Sequence, residues 1–181
     1  MIDIFCVASG PSLTKQDCDL VAASGAKIMA VNKSWEMFDR LDYFYAGDLK
    51  FWKEYNKQID IPIGEKWTCN AAAAKMFDLN LHRVAGPFNS GMRAVQLAIL
   101  KGFYRVGLLG YDCSLVNGSH WHGAYENPKF YPVIQQRVDK WKQQFLKVAI
   151  AADRAGAKVY NLSRHTELSC FPLMDLEDAI Q

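Results

Sequence analysis

Two histidines in a glycine-bracketed loop are the residues of this sequence that most suggest chemistry. His120 and His122 flank a tryptophan in the segment 118–123, which follows Asp112. Histidine titrates near neutral pH without perturbation, so one interpretation of this loop is a general base. A second is metal binding by both histidines and an aspartate, because the His-x-His spacing places two imidazoles on one side of an extended segment. A third is a solvated loop.

Two glycine- and serine-containing turns are typical of anion binding. Residues 9–12 read Ser9-Gly10-Pro11-Ser12 and follow a predicted strand. The glycine lets a backbone approach a phosphate, and the hydroxyls and N–H groups lie just before a helix N-terminus, which favours an anion. The turn matches neither the P-loop nor the G-x-G-x-x-G fingerprint. Ser90-Gly91 repeats the pattern, with Ser90 as the expected N-cap of a helix.

Polar side chains also follow three other predicted strands. Asn32, Asp48 and Asp112 each stand at or just beyond the carboxyl end of an apolar run. Ligands of open parallel sheets bind outside the carboxyl ends of the strands. We therefore expect these three side chains to share one cleft with the two serine turns.

The elements that must position these residues alternate between strands and helices. Such alternation predicts βαβ units, and hence a single α/β, Rossmann-like domain over residues 1–181 with a mainly parallel, twisted sheet and helices on both faces. The segment 72–87 has no readable pattern. The predicted strands are 2–8, 27–31, 43–46, 66–71, 105–109 and 158–162, and the predicted helices are 12–24 (or from 14), 34–38, 49–57, 91–101 and 133–156.

Composition limits the kinds of protein to which this chain can belong. The 181 residues are 50% hydrophobic and 22% charged with a net charge of +2, which is typical of a globular domain and gives no reason to expect a nucleic-acid or membrane partner. The chain has neither a signal-peptide pattern nor an apolar run long enough to span a bilayer, and its five cysteines are scattered. We therefore expect reduced thiols and a cytoplasmic location. His82 and His165 are predicted to be surface or cap residues.

The order of the motifs resembles that of the bacterial lipooligosaccharide sialyltransferases and of the related superfamily that includes archaeal 6-hydroxymethylpterin diphosphokinases. The resemblance covers most of the chain. The shared motifs are a strand followed by Gly-Pro-Ser-Leu at 10–13, a strand ending in Asn32, a helix opened by Ser90-Gly91 and ending at 101–103, a strand ending at 110–112, a histidine-containing loop, and a strand at 159–163.

The resemblance implies a function and a set of residue roles. In the sialyltransferases the first turn, the asparagine after the second strand and a serine before the glycine-led helix hold the CMP part of CMP-sialic acid, without a metal. A histidine of the late loop is the general base there, so His120 or His122 is its counterpart. These two histidines and Asp112 are the predicted catalytic residues. The implied nucleotide-binding residues are Ser9, Gly10, Pro11, Ser12, Asn32, Asp48, Ser90 and Gly91.

Some positions depart from the sialyltransferase pattern. Ser9 and Asp48 stand where asparagines are usual, and Cys113-Ser114 replaces a tyrosine that stabilises the departing phosphate, which leaves Tyr125 or Tyr131 for that role. Asp48 and Asp112 in one cleft suggest the alternative of a Mg²⁺-nucleotide site, as in the diphosphokinase branch, since Mg²⁺ takes one or two carboxylates plus phosphate oxygens.

Three functions follow as expectations. The first is a metal-independent, nucleotide-sugar-dependent glycosyltransferase with a histidine base. The second is a Mg²⁺-dependent diphosphokinase or phosphoryl-type transferase using Asp48 and Asp112. The third is a non-catalytic nucleotide- or glycan-binding module. The acceptor class stays open among a glycan, a small metabolite and a modified base, and the resemblance suggests a homo-oligomer.

Overall fold

A seven-stranded, all-parallel sheet forms the centre of the protein. The computed structural model describes residues 1–125 and 132–181. The strand order is β5-β4-β3-β2-β1-β6-β7. The strands are β1 Ile4–Val7, β2 Lys27–Val31, β3 Leu41–Tyr45, β4 Ile63–Thr68, β5 Asn80–Leu81, β6 Arg105–Leu109 and β7 Lys158–Asn161.

Helices cover both faces of this sheet. They are α1 Lys15–Ala23, α2 Leu49–Tyr55, α3 Ala71–Phe77, α4 Ser90–Leu100, α5 Gln135–Arg154 and α6 Leu176–Ala179, together with a 3₁₀ segment, Asn32–Met37. The core residues of α1, α2, α3 and α6 join one apolar cluster, and those of α4 and α5 join another. Strand β1 is buried along its whole length, as expected for a strand covered on both sides. The predicted α/β class is confirmed.

The direction of the chain reverses beside β1. From β1 the chain adds β2, β3, β4 and β5 in turn on one side, and then returns through α4 to place β6 on the other side of β1. The turns after β1 and β6 therefore diverge at the carboxyl edge. This is the switch point at which open α/β sheets bind ligands.

The sequence predictions for β2 and β6 are confirmed to the residue, and those for the middle of the chain need correction. The sequence predicts the fourth strand at 66–71, but it spans Ile63–Thr68, because Asn70 already caps α3 with its side chain. The unreadable segment contains most of α3 and all of β5. Asp78, in a left-handed conformation with φ 53°, ends α3 where a glycine would have been the recognisable signal.

No helix in the described ranges is long and apolar enough to cross a membrane. All five cysteines are free thiols.

Trp52 tests the packing of the first cluster. Its side chain is fully buried, and its indole N–H donates to the Ala46 carbonyl at 2.8 Å. We expect Trp52→Ala to lower the free energy of unfolding by about 3–5 kcal/mol, because it leaves a large cavity. Lys53→Ala, on the exposed face of the same helix, should change it by about 0.5 kcal/mol or less. Urea denaturation measures both, and equal effects would contradict this assignment of the core.

Candidate functional site

A cleft of about 710 Å³ opens at the switch point. Its volume lies within the range of small-molecule sites. It brings together most of the residues predicted from the sequence, but Ser12 and His122 do not line it. The predicted residues that line it are Ser9, Gly10, Pro11, Asn32, Asp48, Ser90, Gly91, Asp112 and His120.

The turn after β1 is held by the aspartate that follows β6. Asp112 accepts hydrogen bonds from the Ser12 backbone N–H and the Ser12 hydroxyl, both at 2.8 Å. A Cβ on Gly10 would lie 2.1 Å from an Asp112 carboxylate oxygen and 2.5 Å from the Gly110 carbonyl oxygen. This close approach requires glycine at position 10.

This arrangement changes the expected role of the first turn. The Gly10 N–H donates to Gly110 and the Leu13 N–H to Gly10, while Pro11 has none. With the Ser12 N–H bonded to Asp112, the amides from Gly10 to Leu13 all have internal partners. The Asp112 carboxylate thus binds the Ser12 N–H, one of the donors that the sequence analysis predicts for a phosphate. Ser9, Gly10 and Pro11 line the cleft without offering such a row of donors.

The start of α4 differs from the start of α1 in this respect. The prediction that Ser90 caps α4 is wrong, because the side chain of Asn89 accepts from the Met92 N–H at 2.9 Å. The Ser90 hydroxyl instead accepts from the Gly47 N–H at 3.0 Å and so joins α4 to the turn after β3. Within the described ranges the N–H groups of Ser90 and Gly91 have no hydrogen-bond acceptor. They are the first two amides of α4 and lie at the cleft, where a helix favours an anion.

Asn32 and Asp48 stand at the ends of β2 and β3, and their side chains make no hydrogen bond to any residue in 1–125 or 132–181. Asn32 adopts a left-handed conformation with φ 51°, which is uncommon for a residue other than glycine and is enriched at functional sites. Asp48 stands at the N-cap position of α2 but its side chain does not cap the helix. It is exposed, so its carboxylate is open to the cleft.

The histidine loop packs on the first turn. The Trp121 N–H donates to the Ser9 carbonyl at 3.1 Å, which places His120 in the cleft wall. The His120 and His122 rings stack, with centroids 4.9 Å apart and planes at 13°. Tyr125 meets both rings edge-on, at 5.4 and 5.0 Å. Tyr131, the other tyrosine considered for this region, lies outside the described residues.

Both imidazoles are held neutral. Burial lowers the pKa of His120, against a smaller opposite effect of the Ser9 carbonyl. Burial, His120 and Lys33 together lower the pKa of His122 to about 4. A neutral imidazole in the cleft can accept a proton at pH 7, and His120 is the one in contact with the cleft.

The two carboxylates do not fit a shared magnesium site well. Asp112 is 1% exposed, and both of its oxygens accept from Ser12. Burial raises its pKa, against the opposing effect of these bonds. Asp48 is the open carboxylate of the pair, and the described part of the chain contains no group of three or more His, Cys, Asp or Glu residues placed to hold a metal ion.

One residue departs from the sequence prediction, His82, and one cleft residue, Arg93, has no prediction. His82, expected at the surface, is 4% exposed, and its Nδ1 lies 3.2 Å from the Tyr45 hydroxyl. His165 is half-buried, with its carbonyl 3.5 Å from the Ser12 hydroxyl. Arg93 lines the cleft and was missed. No local motif marks any of them; Arg93 follows Ser90 by three residues, and this spacing is the one signal that could have drawn attention to it.

Comparison with known proteins adds no family: no family model matches the chain, and no curated protein sequence matches it.

Replacing Asp112 tests its role in holding the turn. We expect Asp112→Asn to lower the free energy of unfolding by about 1–3 kcal/mol. Both carboxylate oxygens accept a hydrogen bond from Ser12, and the amide N–H₂ that replaces one of them cannot accept. Asp39→Asn, at an exposed position, is the matched control. A double-mutant cycle with Ser12→Ala should show coupling between the two positions in urea denaturation. Independent effects would argue against the bond.

The pKa of His122 predicts how stability depends on pH. Its unfolded pKa is near 6.5 and its folded pKa near 4. Between these values the unfolded chain binds a proton here and the folded protein does not, so stability falls as the pH drops through this window. His122→Phe keeps a stacked ring and removes the titration. The difference in unfolding free energy between pH 7 and pH 4.5 should be smaller in this variant, and parallel curves would contradict the assignment.

Proposed function

We propose that this protein is a sialyltransferase-like enzyme that transfers a glycosyl group from a CMP-type nucleotide sugar to an acceptor hydroxyl without a metal. The observation that carries the proposal is that His120, a neutral imidazole, lines the same cleft as the uncommitted amides of Ser90 and Gly91. A base for the acceptor and donors for the leaving phosphate are thus present together.

The chemistry assigns one task to each side of the cleft. His120 accepts the proton of the acceptor hydroxyl as that oxygen forms its bond to the anomeric carbon. The bond from the anomeric carbon to the phosphate oxygen breaks, and the nucleotide leaves with the bonding electrons. The Ser90 and Gly91 N–H groups and the N-terminus of α4 face the negative charge that develops on this phosphate.

The side chains of Asn32 and Asp48 suit the nucleoside and sugar of such a donor. Both line the cleft that the α4 N-terminus also lines, and the hydroxyl of Ser90 fixes the distance between this helix and the loop that carries Asp48. Ordered amide and carboxylate oxygens can accept from ribose or sugar hydroxyls. Ser9, Gly10 and Pro11 form the floor on which the donor rests.

The second expectation, a magnesium-dependent transferase, has less support. Mg²⁺ needs accessible oxygen ligands, and the Asp112 carboxylate is buried and bonded to Ser12. Asp48 alone could contribute a ligand.

Nucleotide binding separates these functions. We expect CMP to raise the thermal midpoint of unfolding equally in EDTA and in Mg²⁺, since a ligand stabilises the state that binds it. CDP, UDP-sugars and ATP are the comparison ligands. Stabilisation by ATP that requires Mg²⁺ would overturn the proposal in favour of the phosphoryl-type transferase.

Activity tests the role of His120. With a CMP-linked sugar and water as the acceptor, His120→Gln should reduce the rate of donor cleavage by about 10²- to 10⁴-fold, while CMP affinity stays within about threefold. His122 does not line the cleft, so His122→Phe should reduce this rate by less than about tenfold. The wild-type rate should fall only below pH 6.5, because the pKa of His120 is lowered. CMP binding without any cleavage would favour a binding module.

A further inference from the structure

Arg93 is a cation fixed by neutral groups on the wall of the cleft. Its Nε donates to the Phe88 carbonyl at 2.8 Å, one terminal nitrogen donates to Gly86 at 2.7 Å, and the other to Val84 at 3.4 Å. Three acceptors from one loop hold the guanidinium in a single orientation. This loop, which connects β5 to α4, thus gains its shape from the arginine.

The charge of Arg93 has no counter-ion in the described part of the chain. Its acceptors are carbonyl oxygens, and no carboxylate pairs with it there. Two ionisable groups that interact with its charge, Tyr45 and His82, are both neutral. Burial raises the pKa of Tyr45, and burial together with Arg93 lowers the pKa of His82. Partly burying a cation among neutral groups costs free energy unless an anion pairs with it.

The guanidinium of Arg93 lies close to the N-terminus of α4. Side chains of a helix lean back towards its N-terminus. The bond from Nε to Phe88, which precedes the N-cap Asn89, shows that the guanidinium has reached the level of the first turn. The uncommitted amides of Ser90 and Gly91 begin that turn.

We propose that Arg93 binds the phosphate of the nucleotide and that its charge, held ready by the loop 84–88, selects a phosphorylated ligand over the free nucleoside. This inference rests on the proposed function and adds a residue and a ligand group to it. The remaining guanidinium N–H groups and the α4 amides would surround the phosphate oxygens, since arginine presents five donors in a planar fork.

Removing the charge tests the inference by a difference between two ligands. Isothermal titration with CMP and with cytidine, in EDTA, gives both affinities for each variant. Arg93→Gln should weaken CMP binding by about 10- to 100-fold, because it removes a charged hydrogen-bond donor. Cytidine affinity should change by less than about threefold, and Arg93→Lys should recover part of the loss, since it restores the charge.

Arg83→Gln is the matched control. Arg83 precedes the same loop, is exposed and does not line the cleft. Its replacement removes one positive charge nearby and should leave CMP affinity within about twofold at an ionic strength where distant charges are screened. The CMP affinity of the wild type should also fall with added salt more steeply than that of Arg93→Gln.

The outcomes separate this inference from the proposed function. If the wild type binds CMP and Arg93→Gln binds it equally well, the inference is wrong and the proposed function stands. Equal losses for CMP and cytidine would show that Arg93 only supports the loop, which also overturns the inference. Pyrophosphate provides a second probe: binding of pyrophosphate that depends on Arg93, without binding of CMP, would support the anion site and overturn the proposed function. Absence of both would overturn both.

Discussion

The carboxylate of Asp112 bonds Ser12 across one hundred residues of chain, and the cleft takes its form from this contact. The turns after β1 and β6 diverge at the switch point, and these bonds bring them together there. Position 10 has room only for a hydrogen. The Ser9 carbonyl, on the same turn, then receives the Trp121 N–H and fixes the histidine loop. The location of His120 therefore depends on the hydrogen bonds between the buried Asp112 carboxylate and Ser12.

The carboxylate of Asp112 makes the start of α1 different from the start of α4, although the two have similar sequences. Gly-Pro-Ser before α1 and Asn-Ser-Gly at the start of α4 both predict exposed amides. Asp112 takes the N–H of Ser12 in the first case. At α4 no internal acid competes within the described ranges, and the amides of Ser90 and Gly91 stay open. The location of an acid far away in sequence decides which start can hold an anion.

The sequence predicted the layers of the fold because strands buried on both faces leave an apolar signature that needs no partner to be recognised. It also collected Asn32, Asp48, Ser90 and Asp112 at one edge, since parallel strands end together. It could not assign their contacts. Serine caps helices, so the sequence predicts Ser90 as the cap, but the neighbouring Asn89 fills that role equally well. Arg93 was missed because its importance comes from three carbonyls of a loop whose path no local pattern predicts.

The attachment of the histidine loop to β1 has a consequence for how such a protein can diversify. Its anchor is a bond between two backbone groups, Trp121 N–H and Ser9 C=O, and backbone groups are the same whatever the side chains are. In the stretch 116–117, where the side chains are exposed, residues can therefore be exchanged without displacing the imidazole of His120, provided that the chain still reaches the anchor. Selection for new partners can act on that stretch, while the proton acceptor keeps its place relative to the central strand.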